Sequence, residues 1–239
     1  MNDFLQQVLD AHGGLARWNQ LKSVKARIIT GGGLWALKGL IQDPAPREMT
    51  VSLHEQFASV TPFGQPGWRT SFRPGRIAIE TTAGELVRER IDPRSSFADH
   101  AMKTPWDPLH RAYFNGYAMW TYLTTPFSMA MPGFEVSEIE TWVESGERWQ
   151  DLRVRFPDEI ASHSKEQDFY FGEDFLLRRH DYHVDVAGSF PAAQYVSDFV
   201  DVQGIRVPTR RRAYARGPDL QPVRDLLMVA IDLSAVEFS

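Results

Sequence analysis

Residues 105–134, PWDPLHRAYFNGYAMWTYLTTPFSMAMPGF, constrain this chain more than any other stretch. Eight of these thirty residues are aromatic, and only Asp107 and Arg111 carry a formal charge. A helix made from them is apolar on nearly every side, so it must be buried on nearly every side. Asp107 is a candidate N-cap with Pro108 at the first helical position. Pro126 stops the helix near Thr125. The segments on either side read as strands, so an apolar helix is expected inside a mostly β protein. There it serves as ordinary core, or it plugs, lids or lines a hydrophobic cavity.

Around this insert the apolar period is two. Val24, Ala26, Ile28 and Thr30 alternate with Lys25, Arg27 and Ile29, as in a half-buried strand. Before the insert, further candidates lie at 34–42, 48–53, 56–61, 68–72, 76–81 and 85–91. After it they lie at 135–143, 149–156, 166–171, 176–186, 194–202, 205–215 and 223–233. Gly or Pro punctuates nearly every gap, which is the pattern of a β-meander with tight turns. The turns at 144–147, 172–174, 203–204 and 217–219 suit hairpins. Ahead of the strands, Asn2 and Asp3 can cap a short helix, with Phe4, Leu5, Val8 and Leu9 at helical spacing and Gly13-Gly14 ending it. A second short helix is expected over 15–21. A sheet of about a dozen strands curls. The expected fold is therefore mainly β (α+β). It is one domain over 1–239, a curled antiparallel sheet or unclosed β-barrel, with helices at about 2–21 and 108–125 filling its concave side.

Net charge is −5, which argues against a nucleic-acid partner, since that needs Lys and Arg gathered on one face. The densest basic run, Arg210-Arg211-Arg212, lies in an alternating segment, so Arg211 points away from its two neighbours. The absence of cysteine removes disulfides, thiolate catalysis and Cys-based zinc sites. In 113–131, Asn115, Gly116, Thr121, Thr124, Thr125, Pro126 and Ser128 weaken any membrane-spanning signal, so no transmembrane segment is expected. The opening MNDFLQQVLDAHGG has neither a basic n-region nor an apolar h-region. A cytoplasmic protein is expected, or a periplasmic one if an export signal has been removed. Nothing in the sequence indicates an oligomeric state.

Motifs for chemistry are sparse. There is no G-x-S-x-G, and Gly31–Gly33 lacks the following Lys-Ser/Thr of a phosphate loop. His180 and His183 are three apart on a strand and so face opposite sides. The more apolar even face places His180 and Tyr182 on the cavity wall, with Asp181 and His183 toward solvent. His110 lies one turn into the insert helix, and across the cavity it can meet His180. The remaining histidines, His12, His54, His100 and His163, show no ligand spacing, and neither metal nor cofactor is expected. For each of these residues the alternative is a buried side chain hydrogen-bonded to its neighbours.

Two segments carry a family likeness. Tyr195–Tyr214, YVSDFVDVQGIRVPTRRRAY, has a strand, a V-x-G-I-x-V-P turn at Val202–Pro208, and an Arg-rich strand. Ala11–Ile28, AHGGLARWNQLKSVKARI, has a helix-to-strand entry. Together with the element order, these make the chain similar to the bacterial lipoprotein-localisation factors. The resemblance implies an unclosed β-barrel with helices lidding a cavity that accepts acyl chains. Members that carry lipoproteins work in the periplasm behind an export signal, which this sequence does not show.

The resulting expectation is non-enzymatic binding of a hydrophobic or amphipathic small molecule. Its wall is expected to include Trp35, His110, Tyr113, Tyr117, Trp120, His180, Tyr182 and Tyr195. The alternatives are an enzyme on such a ligand, with His180 and His110 transferring protons, and a scaffold with no ligand.

Overall fold

The computed structural model describes residues 2–239. Thirteen strands form one antiparallel sheet. The first half comprises β1 (Ser23–Gly31), β2 (Arg47–Ser52), β3 (Ala58–Thr61), β4 (Trp68–Arg73), β5 (Arg76–Thr81) and β6 (Leu86–Ile91). The second comprises β7 (Glu135–Glu144), β8 (Glu147–Arg155), β9 (Glu166–Phe171), β10 (Leu177–Val184), β11 (Phe190–Val202), β12 (Ile205–Arg216) and β13 (Pro222–Phe238). Each half is a meander, and the spatial order runs β6 to β1, then β13 back to β7. The halves join where β1 pairs with β13, from Val24↔Phe238 to Gly31↔Ala230. The free edges, β6 and β7, are consecutive in the chain, and the sheet does not close between them.

The concave face is covered by α1 (Asp3–Ala11), α2 (Leu15–Trp18), α3 (Leu34–Leu37) and α4 (Pro108–Thr124). The insert helix forms as its ends dictate. The Asp107 carboxylate accepts from the His110 backbone N–H at 2.8 Å, and the His110 ring accepts from the Asp107 N–H at 3.1 Å, a reciprocal cap. Thr125 is the C-cap, one residue before Pro126. Fourteen of its seventeen residues are buried, so α4 is a plug rather than an amphipathic lid. Its buried threonines are satisfied locally: Thr121 donates to the Tyr117 carbonyl at 3.0 Å, and Thr124 to that of Trp120 at 2.8 Å. Gly116 is a packing position, because a Cβ there would lie 2.3 Å from Cγ of Phe72 on β4.

The two segments that carry the family likeness touch each other. Gly13, at φ +123°, lies so close to the carbonyl of Gly204 that a Cβ would fall 2.2 Å from it. The Arg206 N–H donates to His12 O at 2.9 Å, and Arg17 donates to Gln203 O at 2.8 Å. Gln203 and Gly204 both have positive φ, as a two-residue type I′ hairpin requires. The recurring turn is thus the seat on which the end of α1 rests.

Two expectations change. Residues 34–42 form no strand: Leu34 and Trp35 bury in one helical turn, and an irregular strap over 38–46 follows. Asp181 is not toward solvent but 1 % exposed. It stays on the outer side of β10, opposite to His180 and Tyr182, but Arg179 and Arg216 cover it there. The hairpin ends of β7–β8 and β12–β13 then converge over its outer side.

Candidate functional site

The eight residues expected on one wall fall into several places. On the inner side, Tyr117, His180 and Tyr182 belong to a buried polar knot centred on His163, a residue whose sequence context gave no signal. The Tyr182 ring stacks on His163 at 4.1 Å and 6°. Tyr122 OH lies 2.7 Å from Nε2 of His163 and 2.9 Å from Tyr182 OH, and Tyr117 OH lies 3.3 Å from Nδ1. His180 stacks on Phe169 at 4.1 Å and bonds to Gln167 Oε1 at 2.7 Å. Burial pushes His163 down to about 3, with the Arg94 charge adding, and burial drives His180 in the same direction. Both imidazoles are neutral at physiological pH, far from the matched pKa that proton transfer favours.

His110 is elsewhere. It closes the cap of α4 and packs on Phe97 at 4.6 Å and His100 at 5.1 Å. Tyr122, which faces His180 at 6.1 Å, is twelve residues further along α4, about 18 Å of helical rise. The expected meeting of His110 and His180 is therefore not made. Trp120 donates to the carbonyls of Ser52 and Glu55 at 3.1 and 2.9 Å, fastening α4 to the β2–β3 turn. Tyr113 lies against Phe72 and Phe97, at the wall of a polar hollow of about 430 Å³. Arg94 pairs with Asp185 at 3.3 Å and Lys165 with Asp158 at that hollow, whose lining mixes these charges with Phe156, Pro157, Ile160 and Ala161.

Tyr195 is on the outer face. Its hydroxyl donates to Glu144 at 2.6 Å within a network around Arg179. The Arg179 guanidinium is fully buried and binds Asp181 through two bonds of 2.7 Å and Glu144 at 2.9 Å. Arg216 adds a 2.6 Å bond to Asp181. Trp142, Tyr170 and Tyr195 surround Arg179 at 5.1 to 5.6 Å. Every guanidinium nitrogen of Arg179 is thereby partnered, while the buried Nε of Arg216 is not. Beside it Asp151 is buried with Oδ1 unpartnered, and burial followed by the charges of Asp168 and Asp181 raises it to about 8.

Of the eight, Trp35 alone lines the apolar crevice of the concave face. That crevice runs between α4 and strands β1, β2, β3 and β13, with Ile28, Met49, Val60, Ala118, Met119 and Ile231 among its walls. Its open space is about 30 Å³, enough for a water or two. One guanidinium, Arg47, belongs to its lining, and two others, Arg111 and Arg211, lie over lining rings, those of Trp35 and Tyr122. Arg47 lines it and is 7 % exposed, donating to Asp43 O at 2.8 Å, with the Asp43 carboxylate 4.0 Å away. Arg111 lies over the Trp35 ring at 4.8 Å and donates to Ile41 O at 3.0 Å, while its buried Nε and Nη2 have no partner. Burial, reinforced by the charge of Arg47 and opposed by Asp43, lowers Arg111 to about 10.

Arg211 is 1 % exposed and stands opposite Ile231 on the neighbouring strand, with its guanidinium 4.9 Å over the Tyr122 ring. It binds Gln194 Oε1 at 2.9 Å and Tyr122 O at 2.6 Å. No carboxylate among the described residues is within 4.0 Å of it, and its Nε is unpartnered. These arginines are not among the eight. For Arg211 the signal was present, since Ile205, Val207 and Ala213 share its parity on β12. Among the described residues no group of three or more His, Asp or Glu is placed to hold a metal ion, and no helix is long and apolar enough to cross a membrane.

No family model and no curated protein matches the sequence. Solved structures do match in shape. A LolA superfamily protein from Nitrosomonas europaea superposes with a TM-score of 0.54 at 11 % identity, over 98 % of this chain and 93 % of that one. The fold is LolA-like. A putative outer membrane lipoprotein-sorting protein domain from Vibrio parahaemolyticus gives 0.56 at 8 % identity, over 99 % and 91 %. A DUF1329 family protein from Desulfovibrio piger gives 0.51 at 11 % identity, over 100 % and 94 %. The expectation of a cytoplasmic protein is corrected by this comparison, because the LolA-like neighbours include a domain described as sorting outer-membrane lipoproteins.

Proposed function

We propose that this LolA-like chain binds a hydrophobic or amphipathic small molecule, without chemistry on it, in the crevice between α4 and strands β1, β2, β3 and β13. The observation that carries this reading is an apolar slot lined by Arg47, with Arg111 and Arg211 lying over its Trp35 and Tyr122 rings and each keeping buried guanidinium N–H groups without a partner. Buried charges are ordinarily paired. A slot with that border suits a molecule with an apolar body and a polar end. The lipoprotein-sorting description of the Vibrio neighbour agrees with such a ligand and with a place in the periplasm.

The slot must widen to admit a chain, and its walls are suited to that. Met49 and Met119 face it, and methionine repacks more readily than branched or aromatic side chains. The Tyr117–His163–Tyr182 knot serves as a rigid anchor for the far part of α4.

The test is mass spectrometry under non-denaturing conditions on protein purified without detergent, joined to titration with an environment-sensitive fluorescent acyl probe. A co-purified small molecule, or saturable probe binding that Ala118→Trp abolishes without loss of fold, is expected. An empty protein that takes up no probe, or probe uptake indifferent to Ala118→Trp, refutes the reading.

A further inference from the structure

The strap over 38–46 and the guanidiniums beneath it specify more than an apolar ligand. The strap flanks the crevice residues Thr30, Trp35 and Arg47; backbone bonds from Leu40 N–H to Trp35 O at 2.8 Å and from Trp106 N–H to Lys38 O at 2.9 Å hold its start, and side-chain bonds hold the rest. Arg111 donates to Ile41 O at 3.0 Å, Arg47 to Asp43 O at 2.8 Å, and Gln42 to Thr30 O at 2.7 Å. Ile41, at the crest, is 85 % exposed and contributes nothing to the core. Two like charges are thus set close together, with a single acidic neighbour that is half exposed and only at the limit of pairing distance. Arg111 retains two buried donors with no acceptor. Such a pair is costly unless an acceptor arrives.

We propose that Arg47 and Arg111 form the receptor for the anionic end of an amphiphile, a terminal carboxylate or phosphate whose hydrocarbon chain lies in the crevice behind them. This rests on the binding reading above and names the ligand class for that same site. A planar guanidinium offers paired N–H donors that match the two oxygens of a carboxylate or phosphate. The anion takes the free Nε and Nη2 of Arg111 and displaces the strap carbonyls from both arginines. Entry of the head group and release of the strap are therefore one event. Trp35 forms the floor beneath Arg111, and Asn115, one helical turn beyond it, lines the slot into which the chain passes.

The experiment compares dodecanoate, dodecyl phosphate and dodecanol as competitors of a fluorescent acyl probe, on the wild-type chain and on Arg47→Gln, Arg111→Gln and Arg111→Lys. Arg210→Gln, an outward-facing arginine 53 % exposed, controls for net charge. The wild type is expected to bind at least one anionic amphiphile about ten- to a hundredfold more tightly than the alcohol, the range for a charge-assisted hydrogen bond. Which anion prevails tells carboxylate from phosphate. Arg47→Gln and Arg111→Gln are expected to bring acid and alcohol to within about threefold. Arg111→Lys should keep part of the preference, and Arg210→Gln all of it. Equal binding of acid and alcohol by the wild type overturns the head-group assignment and leaves the binding reading standing. A preference that survives both glutamine substitutions also overturns it. Failure of all three competitors and of the probe removes the binding reading and this inference together. The wild-type comparison needs no variant, so the outcome does not depend on how well the substituted chains fold.

Discussion

Arg179 and Arg111 are both arginines held against aromatic rings, and the contrast between them separates structure from function. On the outer face Arg179 has two carboxylates, a tyrosine hydroxyl and three aromatic rings arranged about it, and Arg216 and Arg224 complete those carboxylates. On the concave face Arg111 has one strap carbonyl and one ring, with two buried donors unanswered. If the proposed head-group role holds, burial is a poor guide to function in this molecule. The completeness of the partner set is the better one.

The largest expected effect strikes the Arg179 cluster. Arg179→Met leaves Asp181 and Glu144 short of a cation and should cost about 3–5 kcal/mol in urea denaturation. A loss below about 1 kcal/mol would remove the contrast.

Acidification comes next. In the unfolded chain His12, His163 and His180 take up protons below about 6.5. In the folded chain His12 does so near 4, His163 near 3 and His180 well below its ordinary value, each chiefly through burial. Their stabilisation is complete above 6.5 and declines as pH falls through that window. Asp151 acts oppositely: its contribution is present below 3.8 and is lost as pH rises through about 8. Three histidines less one aspartate leave two groups, so stability should fall by about 2–3 kcal/mol per pH unit between pH 6 and 5. Thermal melts of wild type and Asp151→Asn across pH 5–8 measure both signs. A flat profile would mean that the knot admits water.

A smaller cost is expected at the plug. Gly116→Ala drives a methyl into Phe72 and should destabilise by about 1–3 kcal/mol, although alanine is the better helix former. Calorimetry should find one cooperative transition in that variant as in the wild type, because we take the thirteen strands to fold as one unit. The least effect belongs to the incomplete site. Arg111→Gln should change stability by less than about 1 kcal/mol, since it removes unsatisfied donors along with one hydrogen bond. A loss as large as that of Arg179→Met would make Arg111 a structural residue.

Most of the fold was legible because the strands obey a period of two and Gly or Pro punctuates nearly every gap between them. The apolar insert announced both of its ends through Asp107, Pro108 and Pro126. Residues 34–42 misled because four residues of helix are too few to display a period. Asp181 faces outward as alternation requires, and its burial was not legible because Arg216 and the hairpin ends that cover it come from distant parts of the chain. The site was far less legible. The eight expected wall residues are aromatic or titratable, and seven of them lie outside the crevice. In the proposed site Arg111 counts through the acceptors it lacks and Arg47 through its place in the slot lining, and both depend on a strap, a helix and a strand brought together only by folding. His163 sits in a loop with no alternation to declare it inward.

The pairing of the first strand with the last has a consequence for biosynthesis. Walls of the slot come from Ile28, Met49, Met119 and Ile231, contributed by opposite ends of the polypeptide. While a ribosome still covers the final strand, the nascent chain holds half a vessel with its apolar lining open along one seam. Closure of that seam spans more than two hundred residues and must come late.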